Sequence, residues 1–373
     1  MFFSHDYREN EDRLAKINSV FRTIDLATLS LAPLSAGLVF DFISNSAAAY
    51  FIAGWNIISV IFEYCLLKSI YKEFPMLAHK SIFENNSSNE ETGRTSNFFS
   101  KIKDGGRAWI LYMKYPVRNA GFGLACLYMT VLGFDNITYG FCLQQCVTES
   151  VLGALVGVSA IFGVSGSISF PFLRKRFGLT KTGLVGMFLL VATLTLCLIS
   201  IWLDGSPFQA DYFFAINSTN SSDSILSSSC LSTNSTGEFS NEESSYSFVS
   251  VAVLMTGLIT ARFGLWIFDL TITQLIQENV QEEHRGVIGG VQNALNSAMD
   301  TIKFILVIVL PQAETFGWLI IASYGFICMG AIFYISYVVC YNPKTSETTT
   351  TASKNITSTT YQATDQGSPN VAV

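Results

Sequence analysis

Long apolar runs dominate the chain, and they leave it few folds to choose from. Runs near 17–43, 47–71, 111–143, 151–172, 180–203, 248–276, 287–310 and 316–341 are each long enough to cross a hydrocarbon layer as a helix, which takes about 20 residues. In lipid every backbone N–H and C=O must be paired internally, so such runs fold as a bundle of helices. Charged residues make up 13% of the chain, against about 25% in soluble domains. The expected fold class is an all-α polytopic membrane protein with eight spans and the lipid bilayer as its principal partner.

Loop charge sets the expected orientation, because cytoplasmic loops collect Lys and Arg. The linker at 72–108, the Arg174-Lys175-Arg176 turn and the turn from Glu278 to Arg285 fall on one side. The loop at 204–247 has no Lys or Arg and carries N-x-Ser/Thr sequons at Asn217, Asn220 and Asn234. It is expected outside and glycosylated, with both termini cytoplasmic and the protein in the cell membrane. The start, Met1 to Lys16, is polar and charged, unlike a signal peptide. The linker is Asn-, Ser- and Glu-rich at 84–97 and is expected to be mobile there.

The third run, 111–143, is interrupted by Gly133-Phe134-Asp135-Asn136-Ile137-Thr138-Tyr139-Gly140. An acid at membrane depth usually faces a cavity or a partner. Irregular backbone there is tolerated only where protein buries it or water reaches it. The stretch is expected to be the break in a transport helix; a loop between two shorter apolar segments is the alternative. Gly153 and Gly157, four apart, with Gly163 and Gly166 further on and Gly183 and Gly186 opening the next run, are expected to let helices approach closely. The cysteines show no CxxC pair and no zinc spacing; Cys142 and Cys146, four apart, suit core thiols better than a disulfide or a metal.

Polar residues recur at helical spacing inside other runs. Asn18, Arg22 and Asp25 share a face, and Arg22 can pair with Asp25 either as a local bridge or as part of a gate. Asn56 and Glu63, seven apart, could offer oxygen ligands to a hard cation or serve as structural hydrogen-bonding groups. Arg262 and Asp269 are likewise seven apart. Asn293, Asn296, Asp300 and Lys303 step along one face of the seventh run, which suggests an aqueous cavity with Asp300 and Lys303 as an internal ion pair.

Several stretches resemble the ferroportin family of iron exporters (solute carrier family 40, major facilitator superfamily). They are Gly54-Trp55-Asn56, Glu63-Tyr64, Leu127 through Asp135, Gly264 through Thr271, Gln277-Glu278-Asn279-Val280 and Arg285 through Asn293. The resemblance implies eight spans of a twelve-span, two-bundle architecture. Residues 1–71 would be the last two helices of the N-terminal bundle, 72–108 the cytoplasmic linker, 109–341 the six-helix C-terminal bundle and 342–373 a cytoplasmic tail. It also implies that the first four helices have no counterpart, so that the chain is an N-terminally incomplete form.

The implied function is Fe2+ export across the plasma membrane by alternating access. Alternatives are a non-transporting or regulatory half-transporter, or a facilitator for another divalent cation. Asp135, Asn136 and Asp300 would be metal-site candidates. Asn56 and Glu63 would be part of a calcium site, with Ca2+ an activator and no other cofactor. Arg22, Asp25, Arg262, Asp269, Arg285 and Lys303 would line the gate and cavity. Where vertebrate members carry a Cys that binds iron and anchors the peptide hormone hepcidin, this chain has Asn136, and their partner His falls at Lys303. A protonated Lys cannot ligate a metal, so the site is expected to be altered and hepcidin-type control absent. No Ser/His/Asp set, HExxH or P-loop points to an enzyme, and nothing points to nucleic acid. The histidines His5, His79 and His284 all fall in expected loops.

Overall fold

The computed structural model describes residue 10, residues 12–29, residue 31, and residues 45–73, 98–133, 136–145, 147–208 and 249–340. These are nearly all helical, and no strand occurs among them. We label the helices α1 (12–29), α2 (Asn45–Glu73), α3 (Phe98–Lys114), α4 (Arg118–Tyr128), α5 (Asn136–Gln144), α6 (Glu149–Phe177), α7 (Leu179–Ser200), α8 (Val249–Asn279), α9 (Glu282–Val309) and α10 (Phe316–Cys340). Five stretches are long and apolar enough to cross a membrane: 49–73, 151–177, 179–200, 249–279 and 313–340. The polar stripe of α9 keeps it out of that group, although it packs inside the bundle against α4 and α3.

The bundle is built around α8, which packs most extensively on α7 and next on α6, while α10 lies on α4 and α7. Leu190 and Leu194 of α7, Leu258, Phe268 and Ile272 of α8 and Leu319, Ile327 and Tyr334 of α10 form its shared core. Lipid is as apolar as leucine, so close packing must hold these helices together. Small residues supply it, at Gly166 and Gly186 as expected and at further positions on α4, α8 and α10. A Cβ on Gly264 would lie 2.7 Å from the Gly186 carbonyl oxygen and 2.8 Å from the Leu190 nitrogen, and a Cβ on Gly330 would lie 2.8 Å from the Gly123 oxygen. Of the expected glycines, Gly153 and Gly157 have nothing within 4 Å, whereas a Cβ on Gly166 would lie 2.6 Å from the Phe263 carbonyl oxygen, so α6 meets α8 there.

Two further expectations are corrected, the placement of the break and the length of the turn after α8. The break in the third run begins at Met129 and runs through Gly133, and the helix has resumed at Asn136, so residues 136–140 are helical. Its first half is itself divided at Tyr115–Val117, where Pro116 removes an amide donor. Part of the linker, from Phe98, is an amphipathic helix. The turn expected from Glu278 to Arg285 shrinks to Val280-Gln281, because α8 runs to Asn279 and α9 starts at Glu282. Residues 32–44, 84–97, 209–248 and the tail lie outside the described residues.

Replacing Gly264 with Val forces side chain into the α8–α7 backbone contact. We expect a loss of about 2 kcal/mol, read as a lower melting temperature of the detergent-purified protein, whereas Gly153→Ala leaves it unchanged.

Candidate functional site

Polar contacts dock α1 onto the rest of the bundle. Near its start, Asp12 pairs at 2.5 Å with the buried Arg174 of α6, whose other end reaches Glu278 of α8 at 3.1 Å. Asn18 and Gln277 exchange amide hydrogen bonds, with Asn18 Nδ2 donating at 2.6 Å. Ser19 and Ser167 each donate to the other's backbone carbonyl, at 2.6 and 3.0 Å. Arg22 then bridges two carboxylates, Asp25 at 3.1 Å on its own helix and Asp269 on α8. Its guanidinium also stacks over the Trp266 ring, 4.7 Å from the centroid. Asp269 is 6% exposed, and so enclosed a carboxylate requires a charged partner.

Beside this interface lies a cavity of about 680 Å³. Arg22 of α1, Tyr128 of α4, Asp269, Thr273 and Gln277 of α8, and Arg285, Gln292, Asn293 and Asn296 of α9 supply its polar lining. Gly286 and Gly289 keep the α9 wall open. The lining is hydroxyl- and amide-rich, its one carboxylate is already paired with Arg22, and Arg285 adds a second cation, its Nε donating to the Val280 carbonyl at 3.1 Å. Behind the wall, Tyr112 donates to Gln292 at 2.7 Å, and Gln292 donates to the Gly121 carbonyl at 3.0 Å and to Asn296 at 2.8 Å. This thread ties α3, α4 and α9 together.

The unwound segment after α4 is satisfied by side chains. Ser323 accepts from the Val131 amide at 3.0 Å, Thr130 Oγ1 accepts from the Leu132 amide at 2.9 Å, and Thr138 donates to the Val131 carbonyl at 2.9 Å. Met129, Val131 and Leu132 are buried. Protein thus encloses irregular backbone at membrane depth, the condition on which such a break is tolerated. A Cβ on Gly133 would stand 3.5 Å from Arg262 Nη2, which places Arg262 at the break.

The expected residues therefore separate into groups. Arg22, Asp25 and Asp269 meet directly; Arg285 and Asn296 line the same cavity; Arg262 sits at the break. Asp300 and Lys303 form the expected pair, at 2.6 Å, with Lys303 buried and its ammonium 4.8 Å from the Phe304 ring centre. Asn56 and Glu63 are exposed on α2, where Asn56 donates to the Ile52 carbonyl at 2.9 Å and Glu63 accepts from Ser59 at 2.7 Å. Asp135, the Asn136 side chain, and Asn217, Asn220 and Asn234 lie outside the described residues. Among those described, no group of three or more His, Cys, Asp or Glu is placed to hold a metal.

A profile described as Ferroportin1 (FPN1) matches residues 7–327. The chain belongs to the ferroportin family. It is 36% identical over 381 residues to the ferroportin of Rattus norvegicus and 36% over 382 to that of Homo sapiens, and 35% over 372 to solute carrier family 40 member 1 of Danio rerio. Each of these alignments takes in 88% of this chain and 66% of the relative, so this chain spans slightly under two thirds of their length. Among solved structures, a bacterial homologue of the iron transporter ferroportin resembles it at TM-scores of 0.59 (outward-facing, soaked with iron) and 0.52 (inward-facing). Sequence identities there are 21% and 22%, covering 88% and 87% of this chain and 64% and 63% of the homologue. That likeness establishes the fold, a major-facilitator-type helix bundle.

Sequence patterning missed some residues of this ferroportin-family site. Gln292 sits one position before the Asn293–Asn296 stripe and bonds backward into the bundle. Ser19 and Ser167 gave no signal, because single serines in apolar runs usually bond their own helix. Arg174 reads as one of three loop cations but is buried in an ion-pair cluster.

Replacing Arg22 with Gln leaves Asp269 buried beside a neutral group, at a cost on the order of 3 kcal/mol. Asp269→Asn removes the buried charge instead and should cost less. Thermal unfolding in detergent is expected to rank them R22Q below D269N below the parent; the reverse order would show that Arg22 carries little of the docking.

Proposed function

We propose that this ferroportin-family chain takes part in moving Fe2+ outward across the plasma membrane by alternating access. The observation that carries the reading is the polar cavity beside a polar helix interface, in which Arg22 holds Asp269 across α1 and α8. Charge pairs that gain water when they part can separate and re-form between two packed states. Continuous apolar packing at the same seam would resist that motion. The relatives named ferroportin support iron as cargo.

In this reading Asp135 supplies an oxygen ligand at the helix break and Asn136 a weak carbonyl oxygen. Lys303, held by Asp300, sets a fixed positive charge that favours release of the ion. Asn56 and Glu63 would contribute to a calcium site completed elsewhere, with Ca2+ as activator. Asn217, Asn220 and Asn234 would be glycosylated outside the cell and both termini cytoplasmic. Control by a hepcidin-type peptide is not expected, because Asn136 offers no thiol. A second reading, a non-transporting partner or regulator, draws on the exposure of α2, whose membrane-length stretch buries nothing in the rest of the chain.

Reconstitution into liposomes with an internal Fe2+-sensitive dye tests the first reading. Saturable Fe2+ flux that R22Q or D269N lowers about tenfold or more is expected, and absence of flux in the folded protein would favour the second. If Lys303 aids release, Lys303→His raises Fe2+ affinity by roughly tenfold, since imidazole can ligate and ammonium cannot. Isothermal titration gives that affinity directly, and an unchanged value removes the role assigned to Lys303.

A further inference from the structure

The turn between α6 and α7 carries charge that nothing described neutralises. From residue 150 to 203 the chain has no Asp or Glu, yet Arg174, Lys175, Arg176 and Lys181 fall within it. Arg174 is buried and committed to Asp12 and Glu278. Lys175, Arg176 and Lys181 are exposed, and among the described residues no carboxylate pairs with any of them. The two nearby acids are those Arg174 has taken.

The turn is also fixed in shape. Gly178 adopts φ +82°, a left-handed conformation that a side chain would oppose. Its amide closes α6 by donating to the Arg174 carbonyl at 2.8 Å, and its own carbonyl accepts from the Thr182 amide at 3.0 Å and hydroxyl at 2.8 Å. Tyr334, near the end of α10, donates to the Thr180 carbonyl at 2.9 Å. Leu179 packs into the core. Three exposed like charges therefore flank the turn between α6 and α7, and no described carboxylate offsets them.

The surroundings identify that counter-charge. Both helices leaving the turn are apolar and membrane-length, so the turn stands at headgroup depth. Phe172 is 72% exposed and Phe177 48% exposed, and Arg176 lies over the Phe177 ring at 5.9 Å. Exposed aromatics beside cations favour the boundary between acyl chains and phosphates over bulk water. We propose that this turn binds the net-negative phosphate headgroup of an anionic phospholipid, with Lys175, Arg176 and Lys181 as its cationic partners. The ligand's phosphate chemistry is shared with soluble phosphates; the flanking aromatics assign the lipid. The leaflet follows from the orientation proposed above, whereas the binding itself is independent of it and of the transported ion.

Native mass spectrometry of the full-length chain, titrated with phosphatidylserine or phosphatidylcholine in detergent, tests the proposal without any transport assay. Phosphatidylserine is expected to bind preferentially, and K175Q/R176Q/K181Q to abolish the preference, at about fivefold in affinity for each cation removed. A charge-keeping K175R/K181R variant should retain it. If the triple variant does not fold, R176Q alone should lose about fivefold. Equal binding of the two lipids by the parent chain, or undiminished preference in folded R176Q or triple variant, overturns the proposal. So does displacement of the lipid by inorganic phosphate at matched concentration, which would make the turn a site for the free anion.

Discussion

Asp269 sets the terms for this structure. A carboxylate that is 6% exposed in a membrane-length helix can stay charged only if a cation comes to it. The cation is Arg22, which belongs to another helix and is itself shared with Asp25 and braced on Trp266. The requirement of one buried charge thereby fixes the approach of α1 to α8. Once that approach is set, Asn18 faces Gln277 and Ser19 faces Ser167 at hydrogen-bonding distance. Polar contacts recur along the described seam, with Ala15 and Leu26 the buried apolar residues of α1 beside them.

The scaffold follows from the absence of a hydrophobic drive between helices in lipid. Gly186 and Gly264 bring α7 and α8 to backbone contact, and Gly123 and Gly330 do the same for α4 and α10. Spacing within one helix picked out Gly186 and Gly166, which meet α8, together with Gly153 and Gly157, which meet nothing. A small-xxx-small pattern shows that a helix can be approached. Whether a partner arrives depends on topology, which a single sequence does not contain.

The same distinction separates what could be read from the chain from what could not. Membrane helices were legible, because hydrophobic length is a one-dimensional property. The charged stripe on α1 and the amide stripe on α9 were legible too, since period and polarity travel together. The partners were less so. Arg22 was matched to Asp25 three residues on, whereas its more deeply buried contact is 247 residues away. The break in the third run was recognised by its glycines and its acid, but placed four residues late, because the helix ends where Thr130, Thr138 and Ser323 can take over the backbone. Those three hydroxyls look unremarkable in sequence and become decisive only after folding.

The chemistry of the cavity lining bears on how an ion could use it. A divalent cation gives up water only to ligands that replace it, and carboxylate oxygens do so best. The described lining offers one carboxylate, already held by Arg22, together with amides, hydroxyls and the guanidinium of Arg285. Such a wall can hydrogen-bond to the hydration shell of an ion but cannot strip it. It therefore suits passage better than capture. At the break beside Gly133 the Val131 carbonyl accepts from Thr138 and the Arg262 guanidinium stands close by. Arg262 at that point would oppose a cation lingering there.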